Sequence, residues 1–131
     1  MIEIKELKVS RLYLNKDQTH RGRCILAFKD HKKEIFNLTE EERKDFTEDL
    51  SASAKALSDA FAPQKINYGI YGDLVSHLHM HLVPKYEGEK EWGSAFTNEP
   101  AEKKYVDENT YKELLEKIRI NLTGGEKQCL R

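Results

Sequence analysis

His77, His79 and His81 stand at two-residue spacing in His77-Leu78-His79-Met80-His81-Leu82-Val83-Pro84. On an extended chain that spacing puts three imidazoles on one face and Leu78, Met80 and Leu82 on the other, so one side is chemical and the other apolar. Histidine occurs five times in 131 residues, which makes three in strict register a poor candidate for coincidence. Two chemistries use such a row. Three imidazoles can converge on a zinc ion that keeps a water in its open position. Alternatively, one ring attacks phosphorus as a nucleophile while a hydrogen bond to its far nitrogen fixes the tautomer and supports the cation formed. Asn67-Tyr68-Gly69 and Gly72, upstream, supply an amide and closely approaching backbone, which suit phosphate oxygens better than the outer shell of a metal. The triplet contains no carboxylate at metal spacing, although Asp73 lies just before it. The residues favour the covalent chemistry and leave the metal chemistry open.

The rest of the composition narrows the partners. A chain of 131 residues fits one domain and one core. Twenty-two basic residues against 23 acidic give a formal charge of −1, with lysines and glutamates interleaved, so no net field selects a nucleic acid polymer. Any anionic ligand must be small and locally gripped. No apolar run is long enough for a membrane span, and Met1-Ile2-Glu3-Ile4-Lys5-Glu6 is too charged for a secretory signal, so a cytoplasmic protein is expected. Cys24 and Cys129 are far apart and outside any Cys-x-x-Cys pair, which argues against a disulfide framework and a thiolate zinc site.

Several elements must position the histidines. The first 30 residues read as strands, with Leu7, Val9, Leu12 and Leu14 in partial alternation, a polar loop at Asn15-Lys16-Asp17-Gln18, and a buried strand over Arg21 to Phe28. Thr39-Glu40-Glu41-Glu42 is a capping box that opens a long helix. Its stripe of Phe46, Leu50, Ala54, Leu57 and Phe61 faces the sheet, and Pro63 marks its stop. Gln64 to Tyr71 reads as a strand, Gly72-Asp73 as a turn and Leu74 to Val83 as the histidine strand, and so short a connection makes the two antiparallel neighbours. Tyr86 to Tyr105 has no clear periodicity. A second capping box, Thr110 to Glu113, predicts a helix with Tyr111, Leu114, Leu115 and Ile118 inward and a stop at Gly124-Gly125. One domain over residues 1–125 with a frayed tail over 126–131 is expected. His20 and His31 read as solvated loop histidines.

These residues resemble the histidine triad (HIT) family of nucleotide hydrolases and transferases. The likeness rests on His77-x-His79-x-His81 with apolar residues between, on Asn67-x-Gly69 ahead of it, and on Arg21-Gly22-Arg23-Cys24-Ile25-Leu26-Ala27-Phe28-Lys29-Asp30-His31 before a long helix. Trp92-Gly93 after Pro84-Lys85-Tyr86 is similar to small bacterial members akin to diadenosine polyphosphate hydrolases. The resemblance implies an α+β fold: a roughly five-stranded antiparallel sheet, one long helix packed on it and a C-terminal helix. It implies that His79 attacks the α-phosphorus of a nucleoside phosphoanhydride or phosphoramidate and becomes a nucleotidyl-histidine. His77 and His81 would orient it and contact phosphate oxygens, and the backbone carbonyl of His77 would accept from its second ring nitrogen. Asn67 and Gly72 would meet phosphate oxygens, Asn15 the ribose, and Tyr13, Leu14 and Ile25 the base, with Trp92 a further substrate wall. No cofactor and no metal is assigned. A homodimer is implied, with Lys5 to Leu14 or Gln64 to Tyr71 as the seam. The chain departs from the family at Gly72-Asp73-Leu74, where many members carry an amide and a hydroxyl; Asp73 would repel a polyphosphate unless it is turned away or paired. A metal-dependent hydrolase using the same histidines, and a nucleotide-binding regulator with little turnover, remain the alternatives.

Overall fold

A computed structural model describes residues 1–129, with side chains as far as Leu122. Five strands, β1 (Ile2–Glu6), β2 (Ser10–Leu14), β3 (Cys24–Phe28), β4 (Lys65–Ile70) and β5 (His79–Lys85), form one sheet in the order β1-β2-β3-β5-β4. Every neighbouring pair is antiparallel. Helix α1 (Glu40–Phe61) joins β3 to β4, and α2 (Glu108–Cys129) follows β5. The architecture is the expected α+β arrangement of a five-stranded antiparallel sheet with two helices.

Strand alternation sorts the two faces. Leu12 pairs with Leu26, Leu14 with Cys24 and Cys24 with Leu82, and all five belong to one buried cluster with Phe46, Leu57 and Phe61 of α1 and Leu114, Ile118 and Leu122 of α2. The opposite face carries Tyr13 against Ile25, Ile25 against His81 and Ala27 against His79. A one-residue slip would exchange the two sets, so burial of the leucines is what fixes the histidines on the open side.

Helix α1 begins as expected. The Thr39 hydroxyl accepts from the Glu42 amide at 3.1 Å and the Thr39 amide donates to the Glu42 carboxylate at 2.8 Å. It ends at Ala62, which takes a left-handed conformation (φ 48°) just before Pro63. Leu50 is only partly buried, whereas Asp49 and Ser53 are buried on the same helix. Asp49 closes the β1–β2 turn, accepting from the Val9 amide at 2.9 Å and the Ser10 hydroxyl at 2.6 Å.

Four expected boundaries shift. The strand expected over Arg21 to Phe28 begins only at Cys24, after a turn that contains Gly22. Asp107, not Thr110, caps α2, because its carboxylate reaches the Thr110 amide at 2.8 Å and the helix already starts at Glu108. The same helix runs through Gly124 and Gly125, since glycine permits a stop without imposing one. Of the expected tail over 126–131, Leu130 and Arg131 lie outside the described residues. The histidine strand starts at His79, so Leu74 to Leu78 is irregular backbone. Leu78 is held instead between Phe28, whose amide donates to its carbonyl at 3.0 Å, and Lys32, whose carbonyl accepts from its amide at 2.7 Å.

Candidate active site

The open face of β2, β3 and β5 forms the floor of a cavity of about 910 Å³, and His77, His79 and His81 all line it. His79 and His81 come from β5, while His77 arrives from the preceding irregular stretch and still faces the same space. The rings of His79 and His81 meet edge to face at 5.2 Å.

Each ring has one nitrogen committed to a partner. Nδ1 of His79 lies 2.6 Å from the carbonyl oxygen of His77. A carbonyl only accepts, so Nδ1 carries a proton, and the neutral tautomer with that proton has its lone pair on Nε2. This is the hydrogen bond expected for the middle histidine. Nε2 of His77 donates to the carbonyl of Phe28, at the end of β3. For His81 the polarity is reversed, because the Arg23 guanidinium Nη2 lies 3.1 Å from Nδ1. Arginine only donates, so Nδ1 of His81 accepts and the proton sits on Nε2. His81 is 5% exposed. Its burial, then the charge of Arg23 and the neighbouring His79, push its pKa down to about 4, so the ring is neutral at pH 7.

Arg23 was not among the expected site residues, yet it is only 2% exposed beside the triplet. It also donates to the Asn98 side-chain oxygen at 2.9 Å and sits over the Phe96 ring at 5.3 Å. The signal for it was present in the alternation of Arg23, Ile25 and Ala27, which puts an arginine on the histidine face just before β3. Burial alone pulls the guanidinium down from its ordinary value, and Asp17 and Glu99 offset part of that.

The aperiodic stretch after Lys85 holds these partners in place. His20, expected to be solvated, is buried, and its Nε2 lies 2.7 Å from the Glu91 carboxylate. The Gln18 amide donates to the Lys104 carbonyl at 2.7 Å, and Asp17 Oδ1 accepts from the Lys104 amide at 3.0 Å. His31 is exposed and meets the His77 ring edge to face at 5.4 Å.

Of the other expected residues, Tyr13, Asn15, Ile25 and Gly72 line the cavity with the histidines. Asn15 Oδ1 is already engaged by the Asp17 amide at 3.0 Å, so an incoming hydroxyl would share that acceptor. Leu14, Asn67 and Trp92 are not brought there. Leu14 is fully buried on the helix side, because alternation from Tyr13 turns it inward. Asn67 shares the histidine face but stands opposite Val83, two pairs beyond the Gly69–His81 pair, and its side-chain oxygen accepts from buried Lys85 at 3.2 Å. Trp92 lines a separate, smaller cavity with Asn67 and Lys85 and is 42% exposed. Asp73 is exposed on the rim of the main cavity, beside Leu74 and Val75. Among the described residues no group of three or more His, Cys, Asp or Glu side chains is placed to hold a metal ion.

Comparison with known proteins gives four concordant matches. The model of the HIT domain matches residues 4–88. The Bacillus subtilis protein hit is 28% identical over 79 residues, covering 56% of this chain and 54% of that protein, so the chain spans about half the length of this curated relative. A histidine triad protein from Sinorhizobium meliloti superposes with a TM-score of 0.84 at 26% identity, over 92% of this chain and 88% of that one. The diadenosine triphosphate hydrolase of Plasmodium falciparum superposes with a TM-score of 0.67 at 15% identity, over 95% and 76% of the two chains.

Proposed function

The chain belongs to the HIT domain family, which includes nucleotide hydrolases and transferases, and on that footing we propose that it cleaves a nucleoside phosphoanhydride or phosphoramidate through a nucleotidyl-histidine at His79. The observation that carries this reading is the 2.6 Å contact between His79 Nδ1 and the His77 carbonyl, which selects the neutral tautomer with its lone pair on Nε2, on a ring that lines the cavity. In the proposed first step the Nε2 lone pair attacks the α-phosphorus and the leaving group departs opposite with the bonding pair, an anhydride oxygen as a phosphate anion and a nitrogen as the free amine after taking a proton from solvent. Water then attacks phosphorus, the P–N bond returns its pair to Nε2, and the proton of the water passes to solvent. Neutral His81 offers Nε2–H to an equatorial phosphate oxygen as charge develops on it. Tyr13 and Ile25 offer a wall for the base, and Asn15 an acceptor for the ribose. Acceptance of a dinucleoside polyphosphate is in keeping with the fold shared with the Plasmodium hydrolase.

The test is turnover of diadenosine tetraphosphate, diadenosine triphosphate and an adenosine phosphoramidate, with and without chelator. His79→Ala should lose at least about 10⁴-fold in kcat while still binding adenosine monophosphate. Labelled substrate quenched without acid should leave an acid-labile nucleotidyl group on the His79 peptide. A fully active variant, or activity lost to chelator and restored by zinc, would replace the covalent reading with the metal one. We further propose a homodimer, since β1 and β4 are sheet edges and need cover. Light scattering at micromolar concentration should return about twice the 15.3 kDa chain mass.

A further inference from the structure

We propose that Arg23 is a positioning residue that holds His81 as a neutral Nε2–H donor, so that the site expels leaving groups that depart without taking up a proton: phosphoanhydrides rather than phosphoramidates. The inference rests on the nucleotidyl-His79 reading and deepens it. Its basis is geometric. The Arg23 side chain is buried, and its Nη2 faces His81 Nδ1 at 3.1 Å. An arginine has no lone pair to offer, so Nδ1 of His81 cannot gain a proton while that contact lasts. The imidazole then has one proton, on Nε2, and giving it away would create an imidazolate. It can hydrogen-bond a phosphate oxygen but cannot serve as a general acid.

The surroundings of His81 hold the same state. Arg23 reaches it from the turn before β3, His79 from its own strand at 5.2 Å, and Tyr71 from the end of β4 at 5.6 Å. Glu99, from the stretch after β5, is the one group that favours its protonation, and its effect is the smallest of those acting on the ring. Phe96 closes the remaining side at 6.1 Å and also lies under the guanidinium. Asn98 accepts from the same Nη2 at 2.9 Å, which keeps the fork aimed. Leu74, which lines the same cavity, is 99% exposed and carries no proton to give.

The consequence follows from where the electrons go. When a P–O anhydride bond breaks, the pair stays on a phosphate oxygen that is stable as an anion. When a P–N bond breaks, the pair goes to an amide-like nitrogen that must be protonated to leave. A general acid is worth about 10²–10⁴-fold in such a step.

The experiment compares kcat/KM of the full chain for diadenosine tetraphosphate and for an adenosine phosphoramidate with an alkylamine leaving group. The anhydride should be favoured by at least about 10²-fold; equal rates overturn the proposal. Arg23→Gln can present either its amide NH₂ or its carbonyl to Nδ1 and so permits protonation. It should narrow the preference at least about tenfold, chiefly through kcat for the phosphoramidate below pH 7, while Arg23→Lys restores the preference. Equal loss on both substrates would mean a structural role and overturn the assignment. Imidazole ¹⁵N shifts of the unaltered protein give a readout that needs no variant. His81 should show an unprotonated Nδ1 and a protonated Nε2 from about pH 8 to about pH 5; protonation of Nδ1 above about pH 6 would overturn the proposal. Absence of both turnover and a His79 adduct would instead sink the nucleotidyl-histidine reading, and with it the substrate preference.

Discussion

Arg23 Nη1 stands 3.7 Å from Oδ2 of Asp17, with both side chains buried. That separation is an ion pair without a hydrogen bond, and neither Asp17 Oδ2 nor Arg23 Nε has a hydrogen-bond partner. The other Asp17 oxygen accepts from the Thr19 amide and hydroxyl and from the Lys104 amide. Asp17 thus joins the loop after β2, the guanidinium beside the histidine triplet and the stretch leading to α2.

Asp17→Ala should therefore destabilise the fold by about 3–5 kcal/mol, because it leaves a buried guanidinium uncompensated as well as two amides unpaired. Denaturant unfolding measures this. A loss below about 1 kcal/mol would show that Arg23 finds water or another partner.

Acid should weaken the protein in two stages. The folded pKa of His81 is lowered from 6.5 to about 4, so between those values the unfolded chain binds the extra proton and stability falls as pH falls. The Glu91 carboxyl is held down to about 2 from 4.5, by the Thr97 hydroxyl first and His20 next, so its contribution is present above about pH 4.5 and is lost as pH drops toward 2. Glu91→Gln should flatten only the lower stage of a stability-against-pH curve, and His81→Gln only the upper one. One indivisible transition unaffected by either variant would contradict this.

Asp73→Asn should leave kcat unchanged and lower KM for a polyphosphate by about two- to fivefold, since Asp73 is exposed on the cavity rim and a charge pair across water is worth about 1 kcal/mol or less. The effect should shrink with added salt. A large fall in kcat would instead give Asp73 a catalytic or metal-binding role.

Gly22→Ala should cost about 1–3 kcal/mol. Gly22 has φ +89°, a conformation that disfavours a side chain, and a Cβ there would meet the Phe61 ring at 2.7 Å. Thermal unfolding reads the loss. Because Arg23 follows directly, the same change should also reduce turnover by disturbing the guanidinium.

The sequence by itself determined the elements that depend on local chemistry. The Thr39 capping box, the Phe46 to Phe61 stripe and the alternation around His79 and His81 act within one turn or one strand, so their readings agree with the fold. The face occupied by the triplet was legible for the same reason, and so was the His79–His77 contact, which spans two residues. Leu14 broke from the expected wall because strand alternation, visible in the chain, had to be referred to the sheet pairing before its side was known. Only tertiary structure decided the rest. The contacts of Arg23 with His81 and Asn98 join residues 58 and 75 positions apart, and His20 meets Glu91 across 71. Such pairs leave no periodic trace, because what brings them together is the packing of the stretch after β5 against the loop after β2. His77 left the strand because its ring and the Leu78 backbone are satisfied by Phe28 and Lys32 rather than by a strand partner, a choice made by the end of β3 and not by the spacing of the histidines.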